Sequence, residues 1–192
     1  MKSMEAISFN KKYFFRTIIL FLILSSAWTI LCIRTDEFTS NDKGLITGIG
    51  NLFLFAASIY FGQRRMPLNS FGRLVALTLL IFLISSFVLT PLSLFLTTES
   101  MIPYALVNSL FVSLAMTKVV DNLYGVRFKR FTIFLTFTVL LIAYLILADF
   151  DHDDRYYLKW GLNYRMAMFN IFQFFLIIPL SLGITMNAPT KS

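Results

Sequence analysis

The ionisable side chains best equipped for chemistry crowd one short stretch, where Asp149, Asp151, His152, Asp153 and Asp154 supply four carboxylates and an imidazole within six positions. Oxygen and nitrogen donors at that density suit a divalent cation. The pattern lacks the glycine and the distal glutamate of a calcium loop, and His152, the sole histidine, cannot build a multi-histidine centre. The expectation is a solvated acidic loop, with no resident metal and no cofactor.

Cys32 is the one cysteine, so the chain has no internal disulfide and no site built from several thiolates. A thiolate nucleophile needs a base and a stabiliser for a developing oxyanion. His152, with Arg34, Arg155 and Arg165, falls on the same side of the chain as Cys32, which is the composition of a membrane cysteine peptidase or transpeptidase. Their wide separation in sequence makes that a match of residue types alone, and a small thiol packed between helices is the simpler role. There is no Gly-x-Ser-x-Gly, no His-Glu-x-x-His and no pair of aspartates inside an apolar run. The chain reads as a non-enzyme.

A third group is neutral. Asn51, Asn108, Asn170 and Gln173 sit inside long apolar stretches. A primary amide carries two donors and an acceptor that its own helix cannot satisfy, so all four are expected to point inward and find partners. They are the first place to look for a solute path.

The elements that must carry these residues follow from where charge is absent. No Asp, Glu, Lys, Arg or His occurs in Thr17 to Ile33, Gly44 to Gln63, Leu74 to Thr98, Ser100 to Thr117, Phe131 to Ala148 or Met166 to Thr190, runs of 17 to 25 residues. A helix rising about 1.5 Å per residue crosses the roughly 30 Å hydrocarbon core in about 20 residues. The expected fold is an all-α integral membrane protein. It is one domain over 1–192, a six-transmembrane-helix bundle of three helical hairpins with spans near 14–33, 44–63, 74–97, 101–119, 131–149 and 166–186. The apolar run of the first span is longer than a signal peptide's, so it is read as a retained span. Composition agrees, with 57% hydrophobic and 14% charged residues against about 25% charged in soluble proteins.

Loop charge sets the orientation. With the N-terminus inside, twelve basic and two acidic residues face the cytoplasm, and five basic and eight acidic residues face outward, giving net charges of +10 and −3. Both termini are therefore expected in the cytoplasm. The patches Arg64, Arg65 and Arg73, and Arg127, Lys129 and Arg130, follow from that topology and suit anionic lipid head groups or an acidic partner. The net charge of +7 thus speaks for the membrane and against nucleic acid. The simplest location is a plasma membrane, the bacterial inner membrane, with the chain as a multi-pass protein.

Each span also carries small or polar residues at helical spacing. They are Ser25, Thr29 and Cys32; Thr47, Asn51, Ser58 and Gly62; Ser86, Thr90, Ser93 and Thr97; Ala105, Ser109, Ser113 and Thr117; Thr132, Thr136 and Ala143; and Asn170, Gln173, Ser181 and Thr185. Such stripes let helices approach and hydrogen-bond across one another. Arg16, Arg73 and Arg130 recur every 57 residues, as do Asn51 and Asn108, a spacing that fits three hairpins.

The first functional expectation is a polytopic membrane protein acting without catalysis through protein contacts, as an accessory, assembly or immunity-type subunit. Its partners are the lipid bilayer and either another membrane protein or its own copy. The alternative is a small channel or neutral-solute transporter. A cysteine peptidase using Cys32 and His152 is the second alternative. Machines coupled to protons or voltage need buried ionisable groups that these runs lack.

Overall fold

The computed structural model describes residues 10–35, 40–63, 69–89, 102–126, 128–148 and 164–186. Among them the chain forms six helices and no strand: α1 (Lys11–Arg34), α2 (Ser40–Gln63), α3 (Asn69–Ile84), α4 (Ile102–Tyr124), α5 (Arg130–Ala148) and α6 (Tyr164–Met186). A π-helical turn, Ser85–Leu89, continues α3. Backbone that meets lipid must satisfy its own hydrogen bonds, and a helix does so within one segment. Three of these helical stretches, Lys11–Arg34, Ile46–Gln63 and Ala105–Tyr124, are long and apolar enough to cross a membrane. Ser70–Ile84, Arg130–Leu145 and Asn170–Met186 are shorter apolar stretches.

Local chemistry sets several helix ends. The Asn10 side chain accepts a hydrogen bond from the Tyr13 amide at 3.4 Å, which caps the start of α1. Gly125, with φ of +63°, ends α4 in the left-handed conformation that glycine adopts without a Cβ penalty. The chain then turns back, and the Phe128 amide donates to the Asp121 carboxylate at 2.9 Å. The Phe128 ring packs against Gly183 of α6, where any Cβ would overlap it.

Consecutive helices pack side by side, α1 closes back onto α6, and α6 also touches α2 and α4. The pairs run antiparallel in sequence. Thr17 near the start of α1 meets Gly62 and Gln63 at the end of α2. Ser85 meets Asn108 across α3 and α4, and Phe128 just before α5 and Thr132 in its first turn meet Gly183 of α6. Alternation leaves α2 and α6 parallel neighbours. It also gathers Lys11, Lys12, Arg16, Arg73, Lys118, Lys129 and Arg130 toward one end, with Arg34 at the other.

Helix α6 packs against four other helices, and even its Pro179 is buried. The core holds Phe21, Phe55, Ile59, Leu74, Met116, Leu140, Leu176, Ile177, Leu180 and Ile184. Phe21 and Phe55 meet edge to face at 6.1 Å, and Phe172 packs against Tyr144 at 4.7 Å and Phe82 at 5.7 Å, joining α3, α5 and α6. The outward faces are apolar too: Ile23, Leu31, Phe87, Phe131 and Phe134 are each more than half exposed. A soluble protein rarely shows large apolar side chains on every side, whereas lipid is a favourable neighbour for them.

Candidate functional site

The small and polar stripes turn toward the protein interior. Ser25, Thr29, Cys32, Thr47, Asn51, Ser58, Ser109, Ser113, Thr117, Thr132, Thr136, Gln173, Ser181 and Thr185 are all buried. The hydroxyls divide by depth. Toward the basic end, Thr117, Thr136 and Thr185 return their hydrogens to carbonyls of their own helices at 2.7 to 2.8 Å, which satisfies them locally. Gln63 donates to the Thr17 hydroxyl at 3.0 Å there, and the Tyr124 hydroxyl donates to the Ile59 carbonyl at 3.0 Å.

Farther from that end, Asn51, Asn108 and Asn170 bond between helices. Asn51 of α2 donates to Oδ1 of Asn170 on α6, and Asn170 Nδ2 donates to the Thr29 hydroxyl of α1 at 2.9 Å. One chain of hydrogen bonds thus joins three helices. On the far side, Ser85 in the π-helical turn donates to Asn108 Oδ1 at 2.7 Å, tying α3 to α4. A π turn widens the helix by one residue and re-aims the side chains around it.

These four amides are not equally satisfied. Asn51 Oδ1, Asn108 Nδ2 and both polar atoms of Gln173 are buried without a hydrogen-bond partner. Gln173 is fully enclosed at 0% exposure, so each end forgoes a hydrogen bond that water would have provided. Asn51 and Asn108, although 57 residues apart, have different surroundings: one bonds across to α6 and the other within its own hairpin.

Among the described residues, grooves open at the surface on two helix pairs. The larger, about 670 Å³, runs between α1 and α6 and is lined mainly by apolar side chains, with Ser25, Ser26, Thr29 and Asn170 in its wall. The smaller, about 240 Å³, lies between α4 and α5 and ends at Arg130.

Cys32 is buried on the inward face of α1, a position that shields a thiol from solvent. Its proposed base, His152, and Asp149, Asp151, Asp153 and Asp154 lie outside the described residues, as do Arg64, Arg65 and Arg127. Arg73, Lys129 and Arg130 are exposed. Among the described residues no three of His, Cys, Asp and Glu come together as a metal site. The third-span stripe at Thr90, Ser93 and Thr97 also falls outside those residues.

Sequence reasoning missed Thr78 and Ser85, the polar residues that α3 and its π turn bury. Their seven-residue spacing continues the apolar stripe of Leu74 and Ile81, and that continuity was the available signal. It also passed over Gln63 at the helix terminus and Trp28, whose indole N–H is buried beside Gly50. No known protein family matches the chain, and no curated protein or solved structure matches it significantly.

Proposed function

We propose that the chain is a six-span integral protein of the cell membrane, with both termini in the cytoplasm, that acts without catalysis through contacts with another membrane protein or a second copy. The observation that carries this reading is the Thr29, Asn170 and Asn51 chain of hydrogen bonds, because amides that tie three helices together serve a packed body more than an open path. The 19 residues of α5 and 23 of α6 give helices of about 28 and 34 Å, near the roughly 30 Å that a span needs. The alternating helix directions and the basic residues at the Lys11 end support the orientation. Purification in mild detergent should yield a stoichiometric protein partner or a homo-oligomer. A monodisperse monomer with no partner would overturn it.

A second reading, a passage for a small neutral solute, is favoured by one observation: Gln173, with Asn51 Oδ1 and Asn108 Nδ2, offers buried hydrogen-bonding atoms that no side chain engages. If these line a path, Gln173→Leu should abolish flux in vesicles while the protein stays folded. Unchanged flux would remove this reading.

A further inference from the structure

We infer that a second copy of this chain docks where α1 and α6 open their groove, as a two-fold dimer in which Ser25, Ser26 and Thr29 meet the same level of the other copy. This rests on the contact role proposed above and names its partner and its surface.

Depth is the first argument. Ser25 stands nine residues from Arg16 and nine from Arg34, about 14 Å of helix in each direction, which sets it at the middle of a hydrocarbon core of roughly 30 Å. Lipid head groups and esters do not reach that level, and acyl chains carry no hydrogen-bonding atom. A polar side chain there is answered by protein.

The polar groups at that level are open. Ser25 is 6% exposed, lines the groove and makes no hydrogen bond to another described residue. The Thr29 oxygen accepts from Asn170, so the Thr29 hydrogen is available to an acceptor. Ser26, also in the groove wall, is exposed at mid-helix. Every other exposed polar side chain among the described residues lies within two turns of a helix end.

Symmetry selects the occupant. Two copies with the same loop charges enter the membrane the same way round, so a two-fold axis between them runs along the membrane normal. That axis brings equal residues to equal depth. A hydroxyl both donates and accepts, so the serines of one copy complement those of the other with no further group. A head-to-tail contact needs a second exposed polar site at mid-depth, and the described surface has none. Ser25, Ser26 and Ala27 are small enough to let two backbones approach. Among the described residues α1 packs only against α2 and α6, which leaves its outer side to this contact.

Cross-linking in native membranes tests this. With Cys32 replaced by Ala, Ser26→Cys should give a disulfide-linked dimer on mild oxidation with copper phenanthroline. Leu80→Cys, on an exposed face of α3, should not. Dilution of the chain in phosphatidylcholine vesicles, read by single-molecule photobleaching, supplies the affinity. Ser26→Leu should raise the dimer dissociation constant about tenfold, and Leu80→Trp should leave it unchanged. If Ser26→Leu does not fold, the cross-link decides alone. A dimer that gives no cross-link at Ser26→Cys, or an equal one at Leu80→Cys, would overturn the inference and leave the contact role standing. So would a stable complex with a different protein that Ser26→Leu displaces, with no dimer of this chain. A monomer without any partner would overturn both.

Discussion

Asn51 on α2 and Asn170 on α6, 119 residues apart in the chain, are hydrogen-bonded to each other inside the protein. Asn170 passes the connection to Thr29 of α1, so three helices share one polar contact in an apolar setting. Removing one member leaves the others with unsatisfied groups, and the energies of single substitutions therefore should not add.

A double-mutant cycle on Asn51→Ala and Asn170→Ala should show this coupling. Interhelical hydrogen bonds in membrane proteins contribute about 0.6 kcal/mol on average and reach about 1.7. The expected coupling is in that range, measured by reversible unfolding in mixed micelles. Strict additivity would show that the two amides act independently.

Gly62 and Gly72 offer a matched pair. A Cβ at Gly62 would lie 2.8 Å from the Thr17 Cα, a backbone atom that cannot swing aside, so α1 and α2 must separate to admit it. Gly62→Ala should lower stability by about 1 to 3 kcal/mol, the usual effect of overpacking. At Gly72, on the exposed side of α3, a Cβ meets nothing within 4 Å. Gly72→Ala should raise stability by up to about 1 kcal/mol through helix propensity. Thermal unfolding in one detergent checks both, with opposite signs expected.

Gln173 is enclosed with neither end of its amide engaged. Leucine is similar in volume and asks for no partner. Gln173→Leu should raise the unfolding free energy by about 1 to 3 kcal/mol, the desolvation penalty of an unsatisfied polar group. A fall in stability would mean that the amide has a partner in the membrane-embedded protein.

Orientation is open to labelling in whole cells. With Cys32 replaced by Ala, a cysteine placed at Lys129 should react with a membrane-impermeant maleimide only after permeabilisation. One placed at Arg34 should react without it. The reverse pattern would invert the topology.

Much of the architecture follows from the amino-acid chain alone. Charge is excluded from lipid and a helix repeats every 3.6 residues, and both are properties of a single segment. They determine that the chain is helical, that six apolar helices carry it, and that Thr47, Asn51, Ser109, Ser113, Thr136 and Ser181 turn inward. Which helix each stripe meets is not a property of one segment. Neighbours depend on how helices arrange laterally and how closely their backbones approach, and apolar surfaces of similar width are interchangeable until side chains interlock. Only the tertiary structure decided that Asn51 bonds to Asn170 while Asn108 bonds to Ser85, and that α6 packs against four other helices. It alone also decided that Gln173 is left without a partner and that α1 and α6 part to form a groove.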